Sequence, residues 1–370
     1  MRALAIRRYK APMELMELPQ PVPGPGDVLV RVRAASVNPI DSKIRDGAVK
    51  VLLPYSFPLI LGNDLAGDVE AVGPAVTKFK VGDAIYSRLD KDRIGAIAEY
   101  ALVREGAAAK KPARLDYVQA ASLPLVGLTA WQALIDLAQL QAGQKILIHA
   151  GSGGVGTFAI QLAKHLGAQV ATTASARNHA LLKSLGADVV IDYKTTRFEE
   201  VAKDQDVVFD TQAGETLLRS FGSVKSGGVV VTIGGRPDGK FARAWGLSLP
   251  LAWILGFLNR KVDRLAKNKG ARFEYLFMRP SGEQLEKIGA LVDQGVIKPI
   301  SGPHLSAGSR GRGRLLRGIG PRRRKSGHSR RGLAVSAAAR RHTPRRLKAI
   351  ASGESVSRSG HLSAWMSIVI

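Results

Sequence analysis

Cysteine is absent from the 370 residues, which excludes disulfides, thiolate-ligated zinc, a nucleophilic cysteine and iron–sulfur clusters. Cofactor chemistry must be organic, or rest on histidine and carboxylates. Histidine is scarce too: of seven, only His149, His165 and His179 precede residue 300, and they share no ligand spacing. They read as core or surface residues, and no catalytic metal is expected.

Long apolar runs are missing. The start, MRALAIRRYKAP, flanks four apolar residues with basic ones, far short of a signal-peptide core. It reads as the first strand of a cytoplasmic protein. WGLSLPLAWILGFL, from Trp245, is 14 residues broken by Pro250, too short for the roughly 20 that cross a bilayer. A buried or dimer-facing helix is expected there, within an insertion at about 236–272. The alternative is an interfacial membrane contact supported by the basic flank NRKVDRLAKNKGAR.

Acidic residues nearly vanish at the end of the chain. Residues 302–370 hold 16 Lys and Arg against one acid, Glu354, whereas residues 1–301 hold 39 basic and 29 acidic groups. The body is moderately basic, and the tail raises the net charge to +25.

At this length two domains are the default, and 45% apolar with 23% charged residues is the composition of a soluble globular protein. The first 120 residues alternate like short strands, as in DVLVRVRAASV and FKVGDAIYS, with Gly and Pro between them. Helical spacing begins at LPLVGLTAWQALIDLAQL, residues 123–140. From Lys145, strand-like runs KILIHA, QVATTA, DVVIDY, DVVFDT and GGVVVTIG alternate with helical stretches, and RFEYLFM reads as a sixth strand. That order predicts an α/β, doubly wound, mostly parallel sheet.

Between the first of these strands and the helix TFAIQLAKHLG lies AGSGGVG, residues 150–156. Gly151, Gly153 and Gly156 form G-x-G-x-x-G, with Ser152, Gly154 and Val155 between them. A plain turn needs only one glycine. After a strand and before a helix, the three have separate uses: a tight turn, backbone approach to a phosphate, and close helix–strand packing. A dinucleotide site is expected.

The wider string GQKILIHAGSGGVGTFAIQLAK, residues 143–164, resembles the signature of the quinone oxidoreductase (zeta-crystallin-like) and enone reductase branch of the medium-chain dehydrogenase/reductase superfamily. VNPIDSKIRDG, PLILGNDLAGDVEAVG and SLPLVGLTAWQAL extend the likeness over most of residues 1–300. The resemblance implies a six-stranded Rossmann sheet beside a mainly β, GroES-like catalytic domain. It divides the chain into 1–122 (catalytic), 123–280 (Rossmann), 281–301 (return to the catalytic domain) and an atypical 302–370. It also implies a homodimer and a small electrophilic substrate.

The cofactor follows from residues and resemblance together. NAD sites usually carry Asp or Glu after the second strand, but QVATTA ends in Ser175, Ala176 and Arg177, so NADPH is favoured. Relatives line the phosphate pocket with equivalents of Ser175, Arg177 and Tyr193. The plainer readings are a solvated charge for Arg177 and a half-buried aromatic for Tyr193.

In zinc-dependent relatives, metal ligands occupy places that here hold Asn38 and Gly62-Asn63-Asp64. Without a Lewis acid, the acceptor must already be electron-poor, as quinones and enones are. The resemblance puts Asn38, Asp41, Arg45 and Thr129 near nicotinamide and substrate. A turn, a local cap, a surface charge and helix packing, respectively, are the alternatives. A catalytically silent NADPH-binding sensor is the rival function.

After Ile300 the expected closing strands give way to an Arg-, Gly- and Ser-rich run, as an out-of-frame reading of a GC-rich gene would produce. A frameshift near residues 300–303 is expected, with a basic arm for nucleic acid or anionic lipid as the alternative. The single aromatic there, Trp365, makes a base-stacking platform a poor expectation.

Overall fold

Alternating sequence builds the first half of the protein from short strands: β1 (Arg2–Ile6), β2 (Glu14–Glu17), β3 (Asp27–Val37), β4 (Leu59–Ile60), β5 (Asp64–Val72), β6 (Ala84–Arg88), β7 (Tyr100–Arg104) and β8 (Ala108–Lys110). The computed structural model describes residues 1–300 and the backbone of two later strands, β15 (His304–Ser306) and β16 (Met366–Val369). In β3 the side chains of Val28, Val30, Val32 and Ala34 are buried while Arg31 and Arg33 face solvent, the period-two pattern of a strand with one wet face. The larger sheet runs β15-β16-β3-β5-β6-β8, with β7 also paired to β3, and β2-β1-β4 form a smaller one. Helix α1 (Pro39–Arg45) leaves β3, and α2 (Tyr117–Ala121) and α3 (Pro124–Trp131) lead into the second half.

There the order is β9 (Lys145–Ile148), α4 (Gly154–His165), β10 (Gln169–Ala174), α5 (His179–Ser184), β11 (Val189–Asp192), α6 (Phe198–Val201), β12 (Gln205–Asp210), α7 (Gly214–Ser220) and β13 (Val224–Thr232). Next come α8 (Gly239–Ala244), α9 (Leu249–Lys269), β14 (Arg272–Tyr275) and α10 (Gly282–Asp293). The sheet order β11-β10-β9-β12-β13-β14 is parallel throughout. Ile146, Leu147 and Ile148 of β9 are wholly buried, as a strand covered on both faces requires. The chain order reverses beside β9, which opens a crevice at the strands' C-terminal ends, the usual ligand position in this architecture. Returning to the first half, α10 packs on β8 and is tied to β6 by the Tyr86 hydroxyl, which donates to Leu285 O at 2.5 Å.

Three expectations are corrected. The sixth strand expected at RFEYLFM is present but shorter: β14 ends at Tyr275, and Phe277 turns away to pack on Phe241 and Trp245, with ring centroids 5.3 and 5.0 Å apart. Pro250 does not break the insertion, because it falls in the first turn of α9, where its missing N–H costs nothing. Of a buried or dimer-facing helix, the exposure of Leu249 and Trp253, 78% and 74%, overturns only the first. After Ile300 two strand segments are present after all. Of these, β16 pairs antiparallel with β3, from Met366 opposite Val37 to Val369 opposite Ala34. The expected frameshift and basic arm otherwise fall outside the described residues.

Candidate active site

The glycine-rich turn is built by steric necessity. A Cβ on Gly151 would lie 2.0 Å from Thr172 Oγ1, and one on Gly156 would lie 2.6 Å from both Ala150 O and Gly151 Cα. Thr172 Oγ1 donates to Ile148 O, the Gly151 N–H donates to Thr173 O, and the Ala150 N–H donates to Thr173 Oγ1. Neighbouring strands β9 and β10 therefore fix the turn. Gly153 is the N-cap of α4 and supplies no side chain to it. The first-turn N–H groups, at Gly154, Val155 and Gly156, thus have neither intrahelical acceptors nor a capping group. Together with the helix dipole they form an anion-attracting end, beside half-buried Ser152.

Ser175, Arg177 and Tyr193 follow the ends of β10 and β11, which are paired with Ala174 opposite Asp192. All three reach the same edge of the sheet as the glycine turn. Ser175 is half-buried; Arg177 is exposed, and among the described residues no carboxylate pairs with it. Tyr193 is 49% exposed, half in solvent at the end of its strand. The end of β12 adds Asp210, whose carboxylate accepts from Thr232 Oγ1 and the N–H groups of Gln212 and Ala213. Burial raises its pKa.

His149, at the head of this turn, is a core residue. Its ring nitrogens sit 3.3 Å from Thr173 Oγ1 and 3.1 Å from Ser220 Oγ. Burial first, and the Arg219 charge second, push its pKa down to about 3.

In the other half, α1 brings Asn38 and Asp41 into a buried polar cluster. Asp41 Oδ2 accepts from the Asn38 N–H at 2.7 Å, and Asp41 Oδ1 accepts from Asn63 Nδ2 at 2.7 Å. Asn38 Nδ2 donates to Asp64 Oδ2 at 3.0 Å, as does the Ser36 hydroxyl at 3.1 Å. Asn63 and Asp64 are aimed inward by Gly62, whose φ of +104° and lack of a side chain let it lie against Ile97. Arg88 stands opposite Asp64 in the β5–β6 register and is 5% exposed. Burial pushes Asp41 up to about 6 and Asp64 up to about 7, opposed chiefly by their Asn partners and by Arg88. Asn38 Oδ1, Asn63 Oδ1, Asp64 Oδ1 and Arg88 Nε have no hydrogen-bond partner among the described residues. Such buried open valences are costly unless something else meets them.

Arg45 is not drawn into this cluster, since its guanidinium pairs with Asp46 at 2.9 Å. Thr129 is buried in α3 and donates to Leu125 O at 2.6 Å, which leaves only its lone pairs free. The Leu125 backbone N–H in turn favours the Asp64 carboxylate, so Leu125 links the two. Asn63, Asp64, Arg88 and Lys91 were not identified as functional from the sequence. Their one signal was polar residues interrupting the apolar runs LILGNDLAG and AIYSRLDK. Lys91 reaches from the first half into an aromatic notch of the second, 4.0 Å from the Trp245 ring centre and 4.3 Å from that of Phe277. Burial, and then the Arg88 charge, lower its pKa to about 8.

Comparison with known proteins matches both halves. Residues 24–113 fit the family described as "Alcohol dehydrogenase GroES-like domain", and residues 154–262 fit "Zinc-binding dehydrogenase". The "Chloroplast envelope quinone oxidoreductase homolog" of Arabidopsis thaliana is 34% identical over 312 residues, 81% of this chain and 89% of that one. The same plant's "NADPH-dependent alkenal/one oxidoreductase, chloroplastic" is 34% identical over 284 residues, 75% of this chain and 64% of that one. Among solved structures, the quinone oxidoreductase from Coxiella burnetii superposes with a TM-score of 0.72 at 33% identity, covering 83% and 92% of the two chains.

Proposed function

The chain belongs to the quinone oxidoreductase branch of the medium-chain dehydrogenase/reductase superfamily, and from that premise we propose that it transfers hydride from NADPH to quinones or α,β-unsaturated carbonyl compounds. It is an oxidoreductase with a nicotinamide cofactor; the phosphorylated form and the acceptor class are the proposed parts. One observation carries the reading: the uncapped start of α4 lies beside a strand, β10, whose end lacks a carboxylate. A diphosphate fits the cradle that Gly151 and Gly156 keep clear. A 2′-phosphate fits Arg177, with Ser175 and Tyr193 at the same edge.

Zinc does not fit. The equivalent positions offer Asn38, Asn63 and Asp64, already hydrogen-bonded to Asp64, Asp41 and Asn38, with the Arg88 cation among them. Zinc sites use thiolates, imidazoles and carboxylates, so no step is derived through a metal.

NADPH, when bound, supplies the hydride; this chain's residues orient the partners and manage the proton. Hydride addition to an electron-poor acceptor leaves a hydroquinone anion or enolate, which needs hydrogen bonding and then a proton. Asn38 and Asp41 stand in the buried cluster where the resemblance expects polar contacts. Asp64, with a pKa raised to about 7, holds a proton near neutrality, and its Oδ1 is the open atom. Thr129, its hydroxyl hydrogen committed to Leu125 O, would meet the nicotinamide region with its oxygen lone pairs. Positioning across the crevice supplies most of the rate gain.

Titration with NADPH and NADH, followed by oxidation assays over a panel of quinones and enones, tests the reading. NADPH-preferring turnover with either acceptor class is expected. Cofactor binding without turnover on any of them would leave the sensor reading in its place.

A further inference from the structure

Helix α9 faces two ways. Ala252, Asn259, Val262 and Ala266 are buried against the body, and Asn259 Nδ2 fastens the helix by donating to Pro237 O at 2.8 Å. The opposite face is open along its whole length, and its chemistry changes halfway. The N-terminal turns expose Leu249, Trp253, Ile254, Phe257 and Leu258. Beyond them the same face carries Arg260, Lys261, Arg264 and Lys267, all exposed. Trp253 stacks on Phe257, with centroids 6.1 Å apart, and the Arg260 guanidinium lies 4.2 Å from the Phe257 ring centre. The apolar and basic halves therefore adjoin. A contiguous exposed apolar patch of this kind marks a contact surface.

We propose that α9 seats the protein on an anionic phospholipid surface. Aromatic and aliphatic side chains enter the headgroup–acyl boundary, and the arginines and lysines, with long stems and charged heads, meet lipid phosphates beside it. Charge decides between occupants. A second copy would set this cationic stretch against its own kind or against the apolar half, with Asp263 as the helix's single carboxylate, and either arrangement strips water from unpaired cations. Anionic lipid neutralises the cations and covers the apolar turns in one contact. The helix does not cross the bilayer, for none among the described residues is long and apolar enough. A bilayer is also where hydrophobic quinones dissolve; that advantage rests on the function proposed above, whereas the lipid contact does not.

The test uses the full-length protein and vesicles of phosphatidylcholine with or without phosphatidylglycerol. Cosedimentation should require phosphatidylglycerol. Arg260→Glu/Lys261→Glu/Arg264→Glu should lower the partition coefficient at least about a hundredfold, from about fivefold per cation removed. Trp253→Asp/Phe257→Asp should lower it about tenfold or more. Brominated lipid should quench tryptophan emission in the parent but not in Trp253→Phe. These side chains face solvent, so far-UV circular dichroism and thermal midpoint should not move. Unchanged partition in both multiple variants, or Trp253 emission indifferent to brominated lipid, overturns the proposal. So does a dimer that Trp253→Asp/Phe257→Asp dissociates, which would give the face to a second copy. Binding is read without turnover, so failed catalysis with intact lipid binding counts against the substrate assignment alone.

Discussion

Asn38 Nδ2 donates to Asp64 Oδ2 at 3.0 Å, joining the exit of β3 to the first residue of β5 where the two residues are only 2% and 0% exposed. The bond favours the ionised form of Asp64. Asn38→Leu removes the donor at nearly constant volume. A loss of about 1–3 kcal/mol is expected from the group left unpaired, growing as pH rises through about 7, where Asp64 ionises. Urea unfolding at pH 5 and pH 8 measures both the loss and its growth.

Asp64 itself sets the direction of a pH dependence. Its folded pKa, about 7, lies above the ordinary carboxylate value of 3.8, so its stabilising proton is held fully below pH 4 and lost as pH rises through 7. In that window Asp64→Asn should flatten the fall in stability by up to about 1.4 kcal/mol per pH unit. Asp41, raised to about 6, keeps a residual slope. Thermal midpoints from pH 4 to 8 that stay parallel for variant and parent would contradict the raised pKa of Asp64.

His149 works in the opposite sense. Its folded pKa of about 3 lies below the ordinary 6.5. Stability is complete above 6.5 and is lost as pH falls toward 3, because the unfolded chain takes up the proton first. His149→Gln should lower stability at pH 8, where the Ser220 and Thr173 contacts are disturbed, yet narrow the gap to the parent on acidification. Guanidinium unfolding at pH 5 and 8 reads the narrowing.

Gly156→Ala should injure the cofactor site without touching a charge. The new Cβ would meet backbone at 2.6 Å on two atoms, neither of which can rotate away, so α4 must shift from β9. About 1–3 kcal/mol of stability and at least about a tenfold loss of NADPH affinity are expected. Calorimetric titration alongside thermal unfolding separates the two effects.

Arg177→Ala should weaken NADPH binding and leave NADH binding nearly unchanged. A charge-assisted contact to phosphate contributes about 1.5–3 kcal/mol, or about ten- to a hundredfold in the NADPH dissociation constant. Equal losses for both cofactors would remove Arg177 from the 2′-phosphate.

The parallel sheet and the glycine turn were legible in the sequence because their signals are contiguous: buried strands read as unbroken apolar runs, and AGSGGVG lies within seven residues. Asn38 and Asp41 were legible for the same reason, sharing one capping turn. Asn63, Asp64 and Arg88 belong with them only through the β5–β6 register and the bend at Gly62, neither of which periodicity records. Arg45 lies one turn further along the same helix, and its Nε pairs with the neighbouring Asp46 rather than with the cluster. The N-terminal turns of α9 are apolar on nearly every side, so pattern alone could not say which side faces water. In the structure four small or medium residues anchor the helix, and its largest ones stay outside.

Lys91 lays a flexible arm from one lobe over two touching rings of the other, Trp245 and Phe277, which follow it by more than 150 positions in the chain. With a pKa near 8, that ammonium is a clasp that mild alkali unfastens: the rings keep their contact with the hydrocarbon stem but lose the charge over their faces. Parting the two lobes at this contact therefore costs less in alkaline solution than at neutral pH.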